Sequence, residues 1–472
     1  MTRLRRRLLA ISTVSSALVV LSSLLATNEG CSETAPAPSS APPIVIGVSL
    51  GLTGDLDTFA GPLRDAVRAA EGQINAGGGL LGRPVRFDVQ DDRSDEGAFV
   101  AGVANGFVKD NVVAVIGPVG SQQVVLTQKI YADKQIIQIS PSATSTDLST
   151  IQDPADRFFF RTTPADDFQG AAVILFAQKT PKGLGDGGAP LAEGGALVTC
   201  NRLAIVNIDN SYGNSMSEVI ASNFPKRGAS RTIVHQKKLP VDLAASYATE
   251  AAELVKSNPE CVALVSYEKV AAQFVRDVKL TPGYQALADK GLFFIGTDGV
   301  FTPGFLQLSR ENRADDTSAS TAEGVFGTNP DTQPGTKEYN EFKAIYRSYF
   351  PELPDAPPFT ANTYDAAILI ALAIQQAGTI TDHVAIREAL RKVSTADGKP
   401  FTPAQVGDAL LALRDGQDIN YKGASGNVDF EPNGNVKAGF IVWEAFRNPT
   451  TKKVNYRTVA QFTTEELLEQ IK

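Results

Sequence analysis

The sequence predicts an α/β protein of two lobes, each a parallel sheet flanked by helices. Three observations predict it. Apolar runs of strand length alternate with segments that place apolar residues at helical spacing, joined by short links. The alternation is played out twice, over 43–140 and again over 203–299. The length, 472 residues, exceeds what a single core organises.

The elements come in this order. "PIVIGVSL" (43–50) reads as the first strand, and "LTGDLDTFAG" as a polar, glycine-bearing loop. Residues 62–75 place Leu63, Ala66, Val67, Ala70 and Ile74 on one helical face. Pro62 suits a first helical turn, and "AGGGLLG" ends the helix. "RPVRFDVQDD" is a second strand, "EGAFVAGVANGFVKD" a helix, "VVAVIG" a third strand, "QQVVLTQKIYADK" a helix and "QIIQIS" a fourth strand. The second series runs "LAIVNID" (203–209), helix 213–224, "TIVHQKKLP", helix 247–257, "VALVSY" (262–267), helix 269–278 and "LFFIGTDG" (292–299). The glycine-rich stretch 180–196 reads as a surface insertion. Beyond residue 330 come helices near 337–349, 361–377 and 382–392 and two late strands, "NVDFEP" and "AGFIVWEAF".

The N-terminus has the order of an export signal: Arg3, Arg5, Arg6 and Arg7, then the uncharged apolar stretch 8–26. A retained anchor helix is the alternative, since the stretch is long enough to span a bilayer. Cys31 comes next, in "TNEGC", which resembles a lipoprotein cleavage site, although Asn28 and Glu29 stand where that pattern has Leu and a small residue. A lipid on Cys31, and so a membrane anchor, is expected; a plain secreted chain is the alternative. Residues 32–43, rich in Ser, Ala and Pro, read as a flexible tether. In an oxidising compartment Cys200 and Cys261, each just ahead of an apolar strand, form a disulfide or remain two buried thiols. The net charge of −8 argues against a nucleic-acid binder.

In an open parallel sheet, ligands bind beyond the carboxyl ends of the strands. In the first series those ends carry Thr53 and Phe59, then Gly120 and Ser121, then Ser140, Ser142 and Thr144. Hydroxyls and free N–H groups at a helix start suit a carboxylate. The second series offers Asp209, Ser211 and Tyr212, then Tyr267 and Glu268, then Thr297 and Asp298. An acid beside aromatic faces suits an ammonium. Together they describe a small zwitterion held between lobes. Each residue also has a structural alternative: Ser121 as a helix N-cap, Ser142 and Thr144 as turn residues, Tyr212 lining a turn, Tyr267 packing between lobes, Asp298-Gly299 as a turn pair.

Enzyme chemistry lacks parts. The two histidines, His235 and His383, stand at no strand end facing the cleft, so neither a Ser–His pair nor a His-based metal site is supported. "GGGLLG" comes after a helix and precedes a strand, the reverse of a dinucleotide fingerprint, and "VIGPVGSQQ" lacks the lysine of a phosphate loop. Asp91-Asp92 reads as a capped strand end rather than a metal site. No cofactor is expected.

The ordered set "GLTGDLDTFAG", "INAGGGLLGRPVRFDVQDDRSD", "VVAVIGPVGSQQ", "ISPSATSTDLS", "FRTTPADDFQG", "SYGNSMSE", "LVSYEKVAAQFVRD", "FIGTDGV", "AEGVFG" and "YDAAILIALAI" resembles the type I periplasmic solute-binding proteins of the leucine/isoleucine/valine-binding class, over most of 43–445. The resemblance implies two lobes joined by three hinge crossings, the first of about 43–163 and 330–424, the second of about 164–329 and 425–472. It implies a monomeric receptor at the periplasm or cell surface that delivers an α-amino acid, most simply an aliphatic one, to the permease of an ABC importer. The same fold used as a signalling sensor, or for an amide, urea or aromatic acid, is the alternative. It implies Ser121, Ser142 and Thr144 on the ligand carboxylate, Asp298 and Tyr267 on its ammonium, and Phe59 and Tyr212 at its side chain. The branched-chain binders typically have Glu where Asp298 stands. Their first-lobe disulfide is absent here, and 393–424 reads as extra loop.

Overall fold

The first sheet has strand order β2-β1-β3-β4-β5, all parallel. Its strands are β1 (Ile44–Leu50), β2 (Val85–Asp91), β3 (Ala114–Ile116), β4 (Ile137–Ser140) and β5 (Phe159–Arg161), with α1 (Asp57–Ala76), α2 (Ala98–Lys109) and α3 (Ser121–Ala132) between them. β3 and β4 are buried residue for residue, as strands covered on both faces must be. This is a computed structural model that describes residues 41–178, 180–181, 197–198, 200–351, 357–395 and 398–471. The export signal, Cys31, the tether up to residue 40 and most of the 180–196 insertion lie outside them.

After β5 the chain passes to α4 (Asp166–Gln178), the two-residue ladder β6 (Thr180–Pro181) with β7 (Leu197–Val198), and a second α/β series. That series is β8 (Arg202–Ile208), α5 (Ser211–Asn223), β9 (Thr232–Leu239), α6 (Ala248–Lys256), β10 (Cys261–Val265), α7 (Glu268–Leu280), α8 (Tyr284–Ala288), β11 (Phe293–Gly296), α9 (Pro303–Leu308) and β12 (Phe326–Pro330). A second passage leads to α10 (Lys337–Tyr349), α11 (Thr360–Ala377), α12 (His383–Thr395), β13 (Lys399–Phe401), α13 (Val406–Arg414) and β14 (Ile419–Tyr421). Helices α10, α11 and α13 pack against α1, so this segment returns to the first lobe. A third passage brings β15 (Phe440–Arg447), β16 (Val454–Phe462) and α14 (Thr464–Ile471) to the second. The second sheet runs β16-β15-β12-β11-β10-β8-β9, with β15 antiparallel to both its neighbours, β12 and β16. Among the described residues no helix is long and apolar enough to cross a membrane.

The structure differs from the sequence expectation at several places, and β5, α4 and β12 are additions to it. Pro62 is not a first-turn residue: α1 begins at Asp57 because Phe59 and Ala60 are buried, and tertiary contact outweighs the N–H that Pro62 lacks. "NVDFEP" forms no strand, because no neighbouring strand pairs with it; Phe430 is held instead by packing edge-on against Phe160 of β5. The stretch 393–424 is not extra loop; it holds the end of α12, the parallel pair β13–β14 and α13, which packs on α1 and α11. β16 and α14 have no counterpart among the expected elements; β16 is a half-exposed edge strand, and its weak apolar signal matches that position.

Cys200, just before β8, is bridged to Cys261 at the start of the neighbouring strand β10, with Cα atoms 5.9 Å apart. The bridge closes a loop of 61 residues. By chain entropy its removal in a Cys200→Ala/Cys261→Ala variant costs about 2–4 kcal/mol of stability. The urea midpoint checks this; an unchanged midpoint would show that the bridge constrains nothing in the unfolded chain.

Candidate functional site

"VIGPVGSQQV" ends β3 and opens α3 through a turn that only glycine can begin. Gly117 has φ +90°, and a Cβ there would lie 2.1 Å from the Ser49 carbonyl oxygen. Gly120 then precedes Ser121, the first residue of α3. Ser121 Oγ accepts two backbone N–H groups, those of Thr144 and Ser145, each at 3.1 Å. Both acceptor positions of the hydroxyl are thereby used, and its hydrogen is left to donate. The first-turn N–H groups of α3, which have no intrahelical acceptor, lie at the same end. This corner is built to donate to an anion.

A small cavity lies here. All seven residues assigned to a ligand from the sequence border it: Ser121, Ser142, Thr144, Phe59, Tyr212, Tyr267 and Asp298. Leu56, Val119 and Phe359 complete an apolar end with Phe59. Ser142 differs from expectation in its chemistry. Its hydroxyl donates to the Val119 carbonyl at 2.9 Å, so it meets the cavity as an acceptor, which suits an ammonium rather than a carboxylate. Thr144 offers the Ser121 corner its N–H, and its carbonyl accepts the Asp166 N–H at 2.8 Å.

Opposite stands Asp298, just past β11. It is buried, and burial pushes its carboxyl up to about 6. The Tyr212 hydroxyl at 2.7 Å and the Gly299 N–H at 3.0 Å favour its charged form but do not offset that. Tyr212 also meets Thr297 Oγ1 at 2.6 Å, and its ring stacks on Tyr267 at 5.8 Å. An anionic oxygen backed by stacked tyrosine faces is a cation receptor. Tyr212 thus orients the acid as well as bordering the cavity.

Phe359 carries no sequence signal that could have placed it here. It precedes α11 in the left-handed region, φ +65°, an uncommon conformation for a bulky residue. Its ring lies 5.9 Å from that of Phe59, tilted by 53°.

The cleft is shut. Thr58 Oγ1 in α1 donates to Glu268 Oε1 in α7 at 2.5 Å, and Asn210 Nδ2 donates to Glu96 Oε1 at 2.8 Å. The Thr146 N–H meets Ser215 Oγ at 2.8 Å, and Lys269 Nζ meets the Gly54 carbonyl at 2.7 Å. Among the described residues no cluster of His, Cys, Asp and Glu could hold a metal ion. The carboxylates of Asp91 and Asp92 accept N–H and hydroxyl groups from Thr53, Arg93, Ser49 and Ser94, which makes them strand-end caps.

A family model described as periplasmic binding protein matches residues 43–409. The chain is a member of the periplasmic binding protein family. It is thus a solute-binding receptor of an extracytoplasmic family, not an enzyme. Among relatives of this periplasmic binding protein is the chemotactic signal transduction system substrate-binding protein BasB of Halobacterium salinarum, 25% identical over 85% of this chain and 86% of its own. The Leu/Ile/Val-binding protein BraC3 of Rhizobium johnstonii is 24% identical over 79% and 90%. The fold matches a leucine-binding protein of Thermotoga maritima, with TM-score 0.65, 19% identity and 90% and 99% coverage. It also matches a solute-binding protein of Rhodopseudomonas palustris in complex with p-hydroxybenzoic acid, with TM-score 0.66, 14% identity and 90% and 98% coverage. The two-lobed type I architecture is therefore shared by binders of different solutes.

Proposed function

We propose that this binding protein captures an α-amino acid with an aliphatic side chain and presents it to the permease of an ABC importer, tethered to the membrane through a lipid on Cys31. The observation that carries the reading is the opposition, across one small cavity, of an anion-binding corner at Ser121 and a buried acid at Asp298. Leu56, Phe59, Val119 and Phe359 offer an alkyl group apolar contact and offer a phenol hydroxyl no partner. An aromatic acid would also leave Asp298 buried without a cation, which argues against the hydroxybenzoate class.

Scanning fluorimetry against the twenty amino acids tests the reading. Leucine, isoleucine or valine is expected to raise the melting temperature, because a ligand that binds only the folded form stabilises it. A rise with 4-hydroxybenzoate and none with any amino acid would overturn it. Replacing Ser121 by Ala removes one donor while the helix N–H groups remain. We expect a loss of about 1–2 kcal/mol of binding, or roughly 5–30-fold in affinity by calorimetry. A loss as large as that for Asp298 would mean that the carboxylate rests on Ser121 alone. A second reading, chemoreception, is favoured by the likeness to BasB. Receptor-dependent swimming responses with uptake intact in a deletion strain would favour it.

A further inference from the structure

Asp166 opens α4, at the first passage of the chain between the lobes. It is completely buried, and neither carboxyl oxygen has a hydrogen-bond partner in good geometry. The groups around it come from both lobes. Arg161 faces it from β5, Asp298 from beyond β11, Tyr212 and Ser215 from α5 and Thr144 from the loop after β4, with Asp167 next in its own helix. The hydroxyls of Thr144 and Ser215 lie alongside and favour its charged form, but do not offset its burial. Arg161, the nearest cation, spends its guanidinium on Asn435 Oδ1, the carbonyls of Ala143 and Ser145, and Ser149 Oγ, and reaches no Asp166 oxygen.

Two acids, Asp298 at the cavity and Asp166 buried within reach of its charge, therefore stand together away from water, and an amino acid brings one ammonium. Asp298 has the Tyr212 hydroxyl and the Gly299 N–H to hold its charge; Asp166 has beside it only the Thr144 and Ser215 hydroxyls, neither in good hydrogen-bond geometry. We propose that Asp166 takes up a proton from solvent as the lobes close on the ligand, so that capture of the solute is linked to hydrogen-ion uptake. This rests on the reading that the ligand's ammonium sits at Asp298. The geometry supplies the switch. Thr144 and Ser215 belong to opposite lobes, and Ser215 is tied across the cleft to the N–H and hydroxyl of Thr146, at 2.8 and 2.9 Å. When the lobes part, those ties break, water reaches Asp166 and it ionises as an ordinary carboxyl. On closure the added proton creates the donor that the site lacks.

In the closed form burial, and then the charge of Asp298, push the Asp166 carboxyl up to about 8. Between the ordinary carboxyl range, about 4, and that value, the closed form holds one proton more than the open form. Affinity falls as pH rises through this window and is level above it. His235, on β9, and His383, at the start of α12, also titrate nearby in pH but stand away from the site.

Calorimetry of L-leucine binding at pH 7 in phosphate and in Tris, which differ in ionisation heat, counts the protons. The wild type should take up more than half a proton per leucine, and its Kd should rise as pH rises from 5.5 to 7.5, at most about tenfold per pH unit. Asp166→Asn, neutral at every pH, should show no uptake, a level profile and binding at pH 7.5 at least as tight as wild type. Leucine binding by the wild type with no buffer dependence would overturn the proposal, as would uptake that persists in Asp166→Asn. The wild-type result stands if the variant does not fold. Failure of every amino acid to bind would overturn the ligand reading first, and this inference with it.

Discussion

Replacing Asp298 by Ala is expected to cost about 3–5 kcal/mol of amino-acid binding, because a desolvated ammonium is left without its counter-charge. That is roughly 10²–10³-fold or more in affinity. The carboxyl is buried, so bulk water does not screen the loss. The Tyr212 hydroxyl, which donates to it at 2.7 Å, would also lose an acceptor. Asp298→Asn separates the two effects. The amide oxygen can still accept from Tyr212, so a loss that persists in Asn belongs to the charge. Calorimetry with L-leucine reads both variants, and a loss under threefold in Asp298→Ala would remove the residue from the ammonium role.

The second large effect is expected at Arg161. Its guanidinium is wholly buried, and burial lowers it to about 10, so it remains charged at neutral pH. It holds the carbonyls of Ala143 at 3.2 Å and Ser145 at 2.9 Å, Ser149 Oγ at 2.8 Å and Asn435 Oδ1 at 2.8 Å. The segment it gathers includes the two N–H groups that fix Ser121, and Asn435 comes from the third passage between the lobes. Arg161→Met leaves these acceptors unmet and Asp166 and Asp167 without their cation. We expect about 3–5 kcal/mol of lost stability, seen as a lower urea midpoint, together with weaker leucine binding. Arg161→Lys should rescue little, since one ammonium cannot reach four acceptors spread over a planar fork. A midpoint within error of wild type would show that the loop is held by other contacts.

Much of this architecture is legible in the chain. Continuous apolar runs such as "VVAVIG" and "VALVSY" become buried parallel strands, because strands covered on both faces have no polar side to display. The periodicity of 62–75 marks a helix but misplaces its start, since the burial of Phe59 and Ala60 depends on the elements packed over them. "NVDFEP" has strand composition and no ladder, because a strand also needs a neighbour. The rule that ligands meet the carboxyl ends of parallel strands picks out fourteen residues, of which eight border one cavity, among them the seven that the family resemblance assigns to a ligand. Phe359, Asp166 and Arg161 escape that rule. Phe359 precedes a helix of the segment that returns to the first lobe, and the other two stand at and just beyond the carboxyl end of β5, a three-residue strand too short to read as one in the sequence.

By itself the sequence determined the alternation that makes two parallel sheets, the glycine turn that exposes the start of α3, and the polar and apolar groups at the strand ends. These are local properties, set by backbone preference and by which faces must be hidden from water. The tertiary structure alone decided which ends meet. Thr58 and Glu268 touch across 210 residues of chain, and Tyr212 reaches Asp298 across 86. It also decided that Asp166 would be enclosed beside Asp298, since the desolvation of a carboxyl is a property of everything packed around it and of no segment taken alone.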